Sequence, residues 1–302
     1  MTNSKKKLSR RRFDWFEAIV ACLLALYGLA VLILILWGFS ASFRTYKSIM
    51  RNPWNLFADV SFDNYILVFN DFKTLKETNG GFKPVYFEEM FFNSLLYAGG
   101  GALLQTLCTA AVAYCTAKYD NKCSKIIHYV VIITLALPIV GNLASMLTVT
   151  KKLKLFDSIF GSWIMKFGFN NIYYMIFYAF FRKLSWEYAE SAFLDGGNHY
   201  TVFFRIMLPL AVPVISTIFL LNFIQYWNDF ETPYMFLPNH TTSAVVLYMS
   251  IIGGGGTWSG PSPVDLTAQL AAAFMVFLPI FVLFLIFKNK IMGNLSEGGI
   301  KG

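Results

Sequence analysis

The chain of 302 residues is 56% apolar and only 14% charged, with 31 phenylalanines, whereas soluble domains carry about a quarter charged residues. That balance excludes an ordinary soluble domain and points to a membrane protein. The formal charge of +8 does not mark a nucleic-acid binder, because the basic residues are not gathered into one domain and no basic and aromatic module accompanies them.

Lys5, Lys6, Lys7, Arg10, Arg11 and Arg12 precede the first apolar run, 18–39, and read as a cytoplasmic anchor over a basic N-terminus of residues 1–17. The run exceeds the apolar core of a signal peptide and no small-residue cleavage site follows, so it is expected to be a retained span. Residues 44–88 carry Arg51, Asp59, Asp63, Asp71, Lys73 and Glu77 with a turn at Asn79-Gly80-Gly81, and belong outside the bilayer. Trp54 and Tyr65 within them suit interfacial anchoring. The second span falls at 92–117, where Gly99, Gly100, Gly101, Ala102, Ala110, Ala111 and Ala113 make a helix unusually small along its length. Small residues let membrane helices approach closely, and these glycines lack the G-x-G-x-x-G spacing of a dinucleotide site.

A short positive connection from Lys118 to Lys125 leads to a third span at 126–149, interrupted by Pro138, Gly141 and Asn142. Such a break is tolerated in a bilayer where protein or water satisfies the freed backbone. Asn142 is therefore a candidate for a translocation path, with a plain interhelical contact as the alternative. The fourth span, 159–181, ends at Arg182-Lys183. The fifth, 208–228, becomes polar toward its outer end through Asn222, Gln225, Tyr226 and Asn228, followed by Asp229, which is expected to be solvated. Those four residues can line an aqueous route or a sugar site, or pair with another subunit. Residues 230–266 form a second external connection with Gly253 to Gly256, which lack the Lys-Ser or Lys-Thr ending of a phosphate loop. The sixth span is 267–287. With both termini inside, the inward loops and tails hold 15 of the 25 Lys and Arg residues, as the positive-inside tendency requires.

Cys22, Cys108 and Cys115 lie in apolar runs and Cys123 in a connection, so no metal or disulfide framework is expected. His128, His199 and His240 are scattered, and no Ser-His-Asp arrangement is apparent. No catalytic residue and no metal ligand is assigned.

Between the fourth and fifth spans lies a polar island, Trp186 to Pro213. Glu187 to Phe193 can form about two helical turns, and Asp195-Gly196-Gly197 permits a reversal where a missing Cβ tolerates positive φ. A second helical stretch through Phe203, Phe204 and Ile206 leads to Pro209, where the next span can begin. The pattern Glu190-Ser191-Ala192, Asp195-Gly196, then Phe204, Ile206, Leu208-Pro209 and Pro213 resembles the EAA motif of permease subunits of ABC importers, in the MalG-like carbohydrate branch. Ser191 and Gly197 stand where that pattern usually has alanine. The tail, Gly293 to Gly302, is similar to the glycine-ending tail of the same family.

The resemblance implies an all-α polytopic membrane protein of six transmembrane helices with a cytoplasmic coupling helix, the ABC importer type I permease fold. Its permease domain would span 18–290, its coupling region 186–206 and its cytoplasmic tail 291–302. It further implies a non-catalytic half of a translocation path, joined to a MalF-like permease, two ABC ATPase subunits and an extracytoplasmic solute-binding protein, in a prokaryotic cell membrane. No cofactor is expected in this chain, ATP and Mg being bound by the ATPases. Glu187, Ala189, Glu190, Ser191, Ala192, Asp195, Gly196 and Gly197 would dock into a groove on one ATPase, with Ala189 and Ala192 permitting close contact. The cargo implied is a sugar or oligosaccharide. The alternatives are a non-sugar solute and, in a different class, a secondary transporter, which an inverted repeat or paired intramembrane charges would favour.

Overall fold

A computed structural model describes residues 15–56, 59–78, 81–137, 141–252 and 265–298, with side chains described as far as residue 288. The basic residues at 5–12, Asn79, Gly80, Pro138, the stretch 253–264 with its glycine tetrad, and residues 299–302 of the tail lie outside the described residues.

Helix α1 (Trp15–Ser42) is apolar on every side, and only Gly38, Ala41 and Ser42 are buried. A helix of that kind is stable where its surroundings are lipid. The segment that follows is folded. It holds α2 (Tyr46–Arg51), α3 (Asp63–Asp71) and an antiparallel hairpin of β1 (Lys73–Thr78) and β2 (Gly81–Tyr86), in the register Lys73 opposite Tyr86. Arg44, 1% exposed, donates to the carbonyls of Ser48 at 3.1 Å and Asn52 at 2.8 Å, which closes the corner after α1. Tyr65 is a packing residue rather than an interfacial anchor. Its hydroxyl lies 2.8 Å from Ser42 Oγ, and burial raises its phenol above the ordinary value while that hydrogen bond opposes the shift. Trp54 is 72% exposed.

Helix α4 (Phe87–Lys118) starts earlier than its apolar run and is the central element, packed by the helices Val212–Trp227, Ile172–Lys183 and Ile159–Lys166. Ala98, Gly101, Ala102, Thr106, Ala110 and Ala113 make its buried face. The third and fourth apolar runs are each two helices: α5 (Lys122–Ala136) and α6 (Leu143–Lys152), then α7 (Ile159–Lys166) and α8 (Ile172–Lys183). The first break contains Gly141 at φ +81°, a conformation that favours glycine. At the second, Asn171 caps α8 by accepting from Tyr174 N at 3.2 Å. Phe167 and Phe169 keep the hydropathy high across that gap, so an apolar run conceals it.

Helix α9 (Glu187–Leu194) and α10 (His199–Leu210) follow, and α10 contains a π-helical turn over Val202–Met207. Helix α11 (Val212–Trp227) leaves α10 at a bend of 73°. Helix α11 thus begins at Val212, with Pro213 in its first turn, while Pro209 belongs to α10. The connection after α11 contains α12 (Glu231–Phe236) and α13 (Ser243–Ile252). The last helix, α14 (Leu266–Gly298), passes through Pro279 and continues into the tail. Among the described residues three helices, α1, α4 and α14, are long and apolar enough to cross a membrane, and the bent pair α10 and α11 makes a fourth candidate.

Two cores result. One gathers Phe72, Tyr97, Phe223, Trp227 and Ala271. The other gathers Tyr114, Phe177, Phe181, Val202 and Met207 beneath the polar island.

The glycines of α4 are not equivalent. A Cβ on Gly100 would lie 2.2 Å from the Trp163 ring of α7, whereas one on Gly99 meets nothing within 4 Å. Trp163 is held in place by its own bond from Nε1 to Leu96 O, at 2.9 Å. Gly100→Ala is therefore expected to destabilise by about 1–3 kcal/mol, the usual cost of overpacking, and Gly99→Ala to be neutral or mildly stabilising. Thermal unfolding of the purified protein distinguishes them.

Candidate functional site: a surface helix and a polar seam

The polar island folds as helix, turn, helix. Trp186 and Phe193 pack at 6.2 Å and Phe193 and His199 at 4.9 Å, so aromatic contacts hold α9 against the start of α10. Gly196 takes φ +80° with nothing near its missing Cβ. Gly197 does not take positive φ. Its amide donates to Ala192 O at 2.8 Å, and a Cβ there would approach that oxygen to 2.7 Å. Glycine at 197, in place of the usual alanine, therefore fits a tight turn.

Of the residues expected at the coupling surface, Glu187, Glu190, Ser191, Asp195 and Gly196 are exposed, and Ala192 and Gly197 are half-buried. Ala189 corrects the expectation. It is fully buried in the second core, so the close approach it permits is to its own chain. Two exposed apolar side chains complete the surface: Tyr188 at 51% and Leu194 at 89%. Leu194 follows the acidic positions of the motif and was not singled out from the sequence. An apolar residue beside a turn at the end of an amphipathic helix is the signal that could have found it.

The residues proposed for a path do not form one group. Asn142 is exposed at the start of α6, Gln225 is exposed on α11, and Asn228 is exposed with its amide donating to Ile224 O at 2.9 Å. Asn222 and Tyr226 turn instead toward α4. Asn222 is 1% exposed, donates to Thr106 Oγ1 at 2.9 Å, and leaves its buried Oδ1 without a hydrogen-bond partner. Tyr226 hydrogen bonds to Gln105 Oε1.

Around Tyr226 lies a charged cluster. Lys166, from α7, pairs with Asp229 Oδ2 at 3.3 Å, and the two side chains are 11% and 18% exposed. Tyr97 Oη donates to the same oxygen at 2.6 Å, and Thr232 N donates to Oδ1 at 3.1 Å. The ammonium of Lys166 lies 3.7 Å from the centroid of the Tyr226 ring, close enough for cation–π attraction. Asp229 is thus a paired, mostly buried carboxylate, contrary to the solvated group expected. Its sequence signal was Lys166, the one charge within the run 159–181; an ionisable side chain in such a run needs a partner.

This architecture, a small-faced central helix with a surface helix at one end and a polar seam along α11, defines a membrane permease subunit. The chain matches the family of binding-protein-dependent transport system inner membrane components over residues 106–289, and it belongs to that family. It is similar to the diacetylchitobiose uptake system permease protein NgcG of Streptomyces coelicolor, with 25% identity over 94% of this chain and 88% of the relative. It is also similar to the arabinooligosaccharides transport system permease protein AraQ of Bacillus subtilis, with 27% identity over 86% and 87%, and to the trehalose transport system permease protein SugB of Mycobacterium tuberculosis, with 25% identity over 97% and 99%. A chain from the crystal structure of a bacterial ABC transporter that imports the acidic polysaccharide alginate shares the fold, with a TM-score of 0.75, 20% identity and coverage of 92% of this chain and 98% of that one.

Removing one partner of a buried ion pair strands the other charge, at a cost of about 3–5 kcal/mol, while replacing both is often close to neutral. Lys166→Met alone is expected to lower the thermal stability of the purified protein sharply, and Lys166→Met with Asp229→Asn to recover most of the loss. Equal losses in the single and double variants would contradict the pairing.

Proposed function

We propose that this chain is the transmembrane subunit of an ATP-driven, binding-protein-dependent importer of a sugar or oligosaccharide. It would form half of the translocation path and transmit the ATPase cycle to it without catalysing hydrolysis. The coupling end carries this reading. Helix α9 presents Tyr188, Glu190 and Leu194 outward while Ala189 is buried against the second core. A short element that is open on one face and packed on the other can pass a push into the bundle. Contact with an ATPase would cover Leu194, and Glu187, Glu190 and Asp195 would meet basic groups of its groove. The bend between α10 and α11 lies next in the chain, so movement of α9 reaches the polar seam through one joint. Residues 186–206 then face the cytoplasm, with both termini on the same side, and ATP and Mg are held by the partner subunits.

The relatives NgcG, AraQ and SugB are permeases of diacetylchitobiose, arabinooligosaccharide and trehalose systems, which supports a carbohydrate as cargo. Within this chain, Asn222 supplies a buried amide oxygen with no hydrogen-bond partner, and Tyr226 an aromatic face. Both are buried here, with Lys166 over the Tyr226 ring, so a sugar, whose hydroxyls donate and whose apolar ring face stacks, would meet them only when the seam opens. Gln225, Asn228 and Asn142 would serve the exposed stretches of the route. A MalF-like permease would supply the other half, and an extracytoplasmic solute-binding protein would deliver cargo to the face that carries the β1–β2 hairpin.

One observation favours a secondary transporter, the second reading: the Lys166–Asp229 pair. The motif in α9 and the family match from residue 106 onward outweigh it.

Leu194→Asp is expected to leave the permease folded, because the side chain is 89% exposed, and to loosen the ATPase in pull-down measurements by about tenfold. Gly196→Trp forces a bulky residue into φ +80° and is expected to leave membrane insertion intact while separating ATP hydrolysis from uptake. Normal uptake by a well-expressed Gly196→Trp complex would remove the coupling assignment.

A further inference from the structure

A cavity of about 460 Å³ opens between the ends of α4, α5 and α8, beside α9 and separate from the seam. Lys118, Lys125, His128, Tyr129, Tyr178 and Arg182 are among its walls. The acid in this lining, Asp120, is engaged by Lys125 at 2.7 Å. Lys118 Nζ donates to the carbonyl of Leu184, and Arg182 Nη1 donates to Tyr178 Oη at 2.9 Å. Neither cation has a carboxylate partner among the described residues. His128 stacks on Tyr178 with centroids 4.1 Å apart, which keeps the wall rigid.

The position of this cavity decides what anion it suits. Tyr129 and Tyr178 belong to the third and fourth apolar runs, and Lys118, Lys125 and Arg182 are the first charges beyond the runs on that side. Tyrosines at the end of an apolar run followed by cations mark the boundary between hydrocarbon and water. Two cations there without acids attract the anion that the boundary itself supplies, the phosphate of a lipid headgroup. Basic pockets between membrane helices bind such headgroups. A second cavity, of about 440 Å³, shares Thr116, Tyr119 and Ser124 with the first and is lined also by Ala111, Val112 and Ile127, an apolar wall of the kind an acyl chain needs.

We propose that this cavity is a binding site for an anionic phospholipid, with Lys118 and Arg182 holding the phosphate and the neighbouring apolar cavity taking the first part of an acyl chain. The site reaches the surface helix. Lys118 is bonded to Leu184, and Tyr119, on the shared wall, hydrogen bonds to His199 at 2.9 Å and meets Trp186 at 5.9 Å. Lipid bound here would brace the seat of α9. The proposal requires only that the chain lies in a membrane, and it stands apart from the identity of the cargo and from the driving force.

The test is native mass spectrometry of the permease in its assembled complex, incubated with an equimolar mixture of phosphatidylglycerol and phosphatidylcholine, and separately with phosphatidylglycerol and inorganic phosphate. Preferential retention of phosphatidylglycerol is expected, weakened about fivefold by Arg182→Gln and about 30-fold by Arg182→Gln with Lys118→Gln, and kept by Arg182→Lys. If the double variant fails to assemble, Arg182→Gln and Arg182→Lys decide alone. Equal retention of the two lipids, or phosphatidylglycerol retention that Arg182→Gln leaves unchanged, would overturn the site. Displacement by millimolar inorganic phosphate would make the ligand a free anion, and loss of the ATPase subunit from Arg182→Gln with lipid retention intact would make the cavity a protein contact. Either result overturns the lipid assignment.

Discussion

Close approach at α4 is the constraint on which the rest depends. Membrane helices gain little from hydrophobic burial against one another, because lipid is as apolar as they are, so van der Waals fit decides where they meet. Between Tyr97 and Tyr114 the buried positions of α4 are all glycine, alanine or threonine, and large side chains from other helices lie against this stretch. Trp163 of α7 lies over Gly100, and Tyr226 of α11 lies over Gly101, 3.4 Å from where its Cβ would be. The pattern is one of large side chains seated on a small face. It brings the ring of Tyr226 within reach of Lys166 and the hydroxyl of Tyr97 within reach of Asp229. The polar seam is therefore a consequence of the packing of α4.

The same helix links the two ends of the molecule. Its first half borders the core of Tyr97 and Trp227, and its second half the core of Tyr114 and Phe181. Near its N-terminal end Asn93 and Ser94 tie it to the start of α13, through Thr241 O at 3.2 Å and Ser243 Oγ at 2.9 Å. Asp157 holds a neighbouring loop by accepting from both the backbone and the amide of Asn239, at 2.9 and 2.7 Å. At its C-terminal end the packing of α10 on Tyr114 and Tyr119 sets where α9 sits. Movement at α9 thus has a packed route to the seam, through the bend before α11.

Much of this was legible in the sequence. The small face of α4, the turn at Gly196 and the helix from Glu187 follow from glycine and alanine placement, charge and spacing, which act locally. What was hidden depends on tertiary contact. The break in the third apolar run was legible at Gly141, whereas the one in the fourth run is masked because hydropathy does not register backbone direction, and Asn171 marks it only once its capping of the next helix is known. Asp229 reads as a shallow carboxylate until Lys166, 63 residues away in the chain, is found beside it. Ala189 follows the same rule: small residues signal close approach, and only the fold says to what.

Import of the kind proposed depends on nucleotide and on a delivering protein, and reconstitution tests both together. Proteoliposomes would hold this chain with its neighbouring permease and ATPase subunits, and uptake of a labelled oligosaccharide would be followed. Uptake is expected only with ATP on the ATPase side and the solute-binding protein on the other. Uptake that persists without ATP and follows an imposed proton or sodium gradient would contradict it.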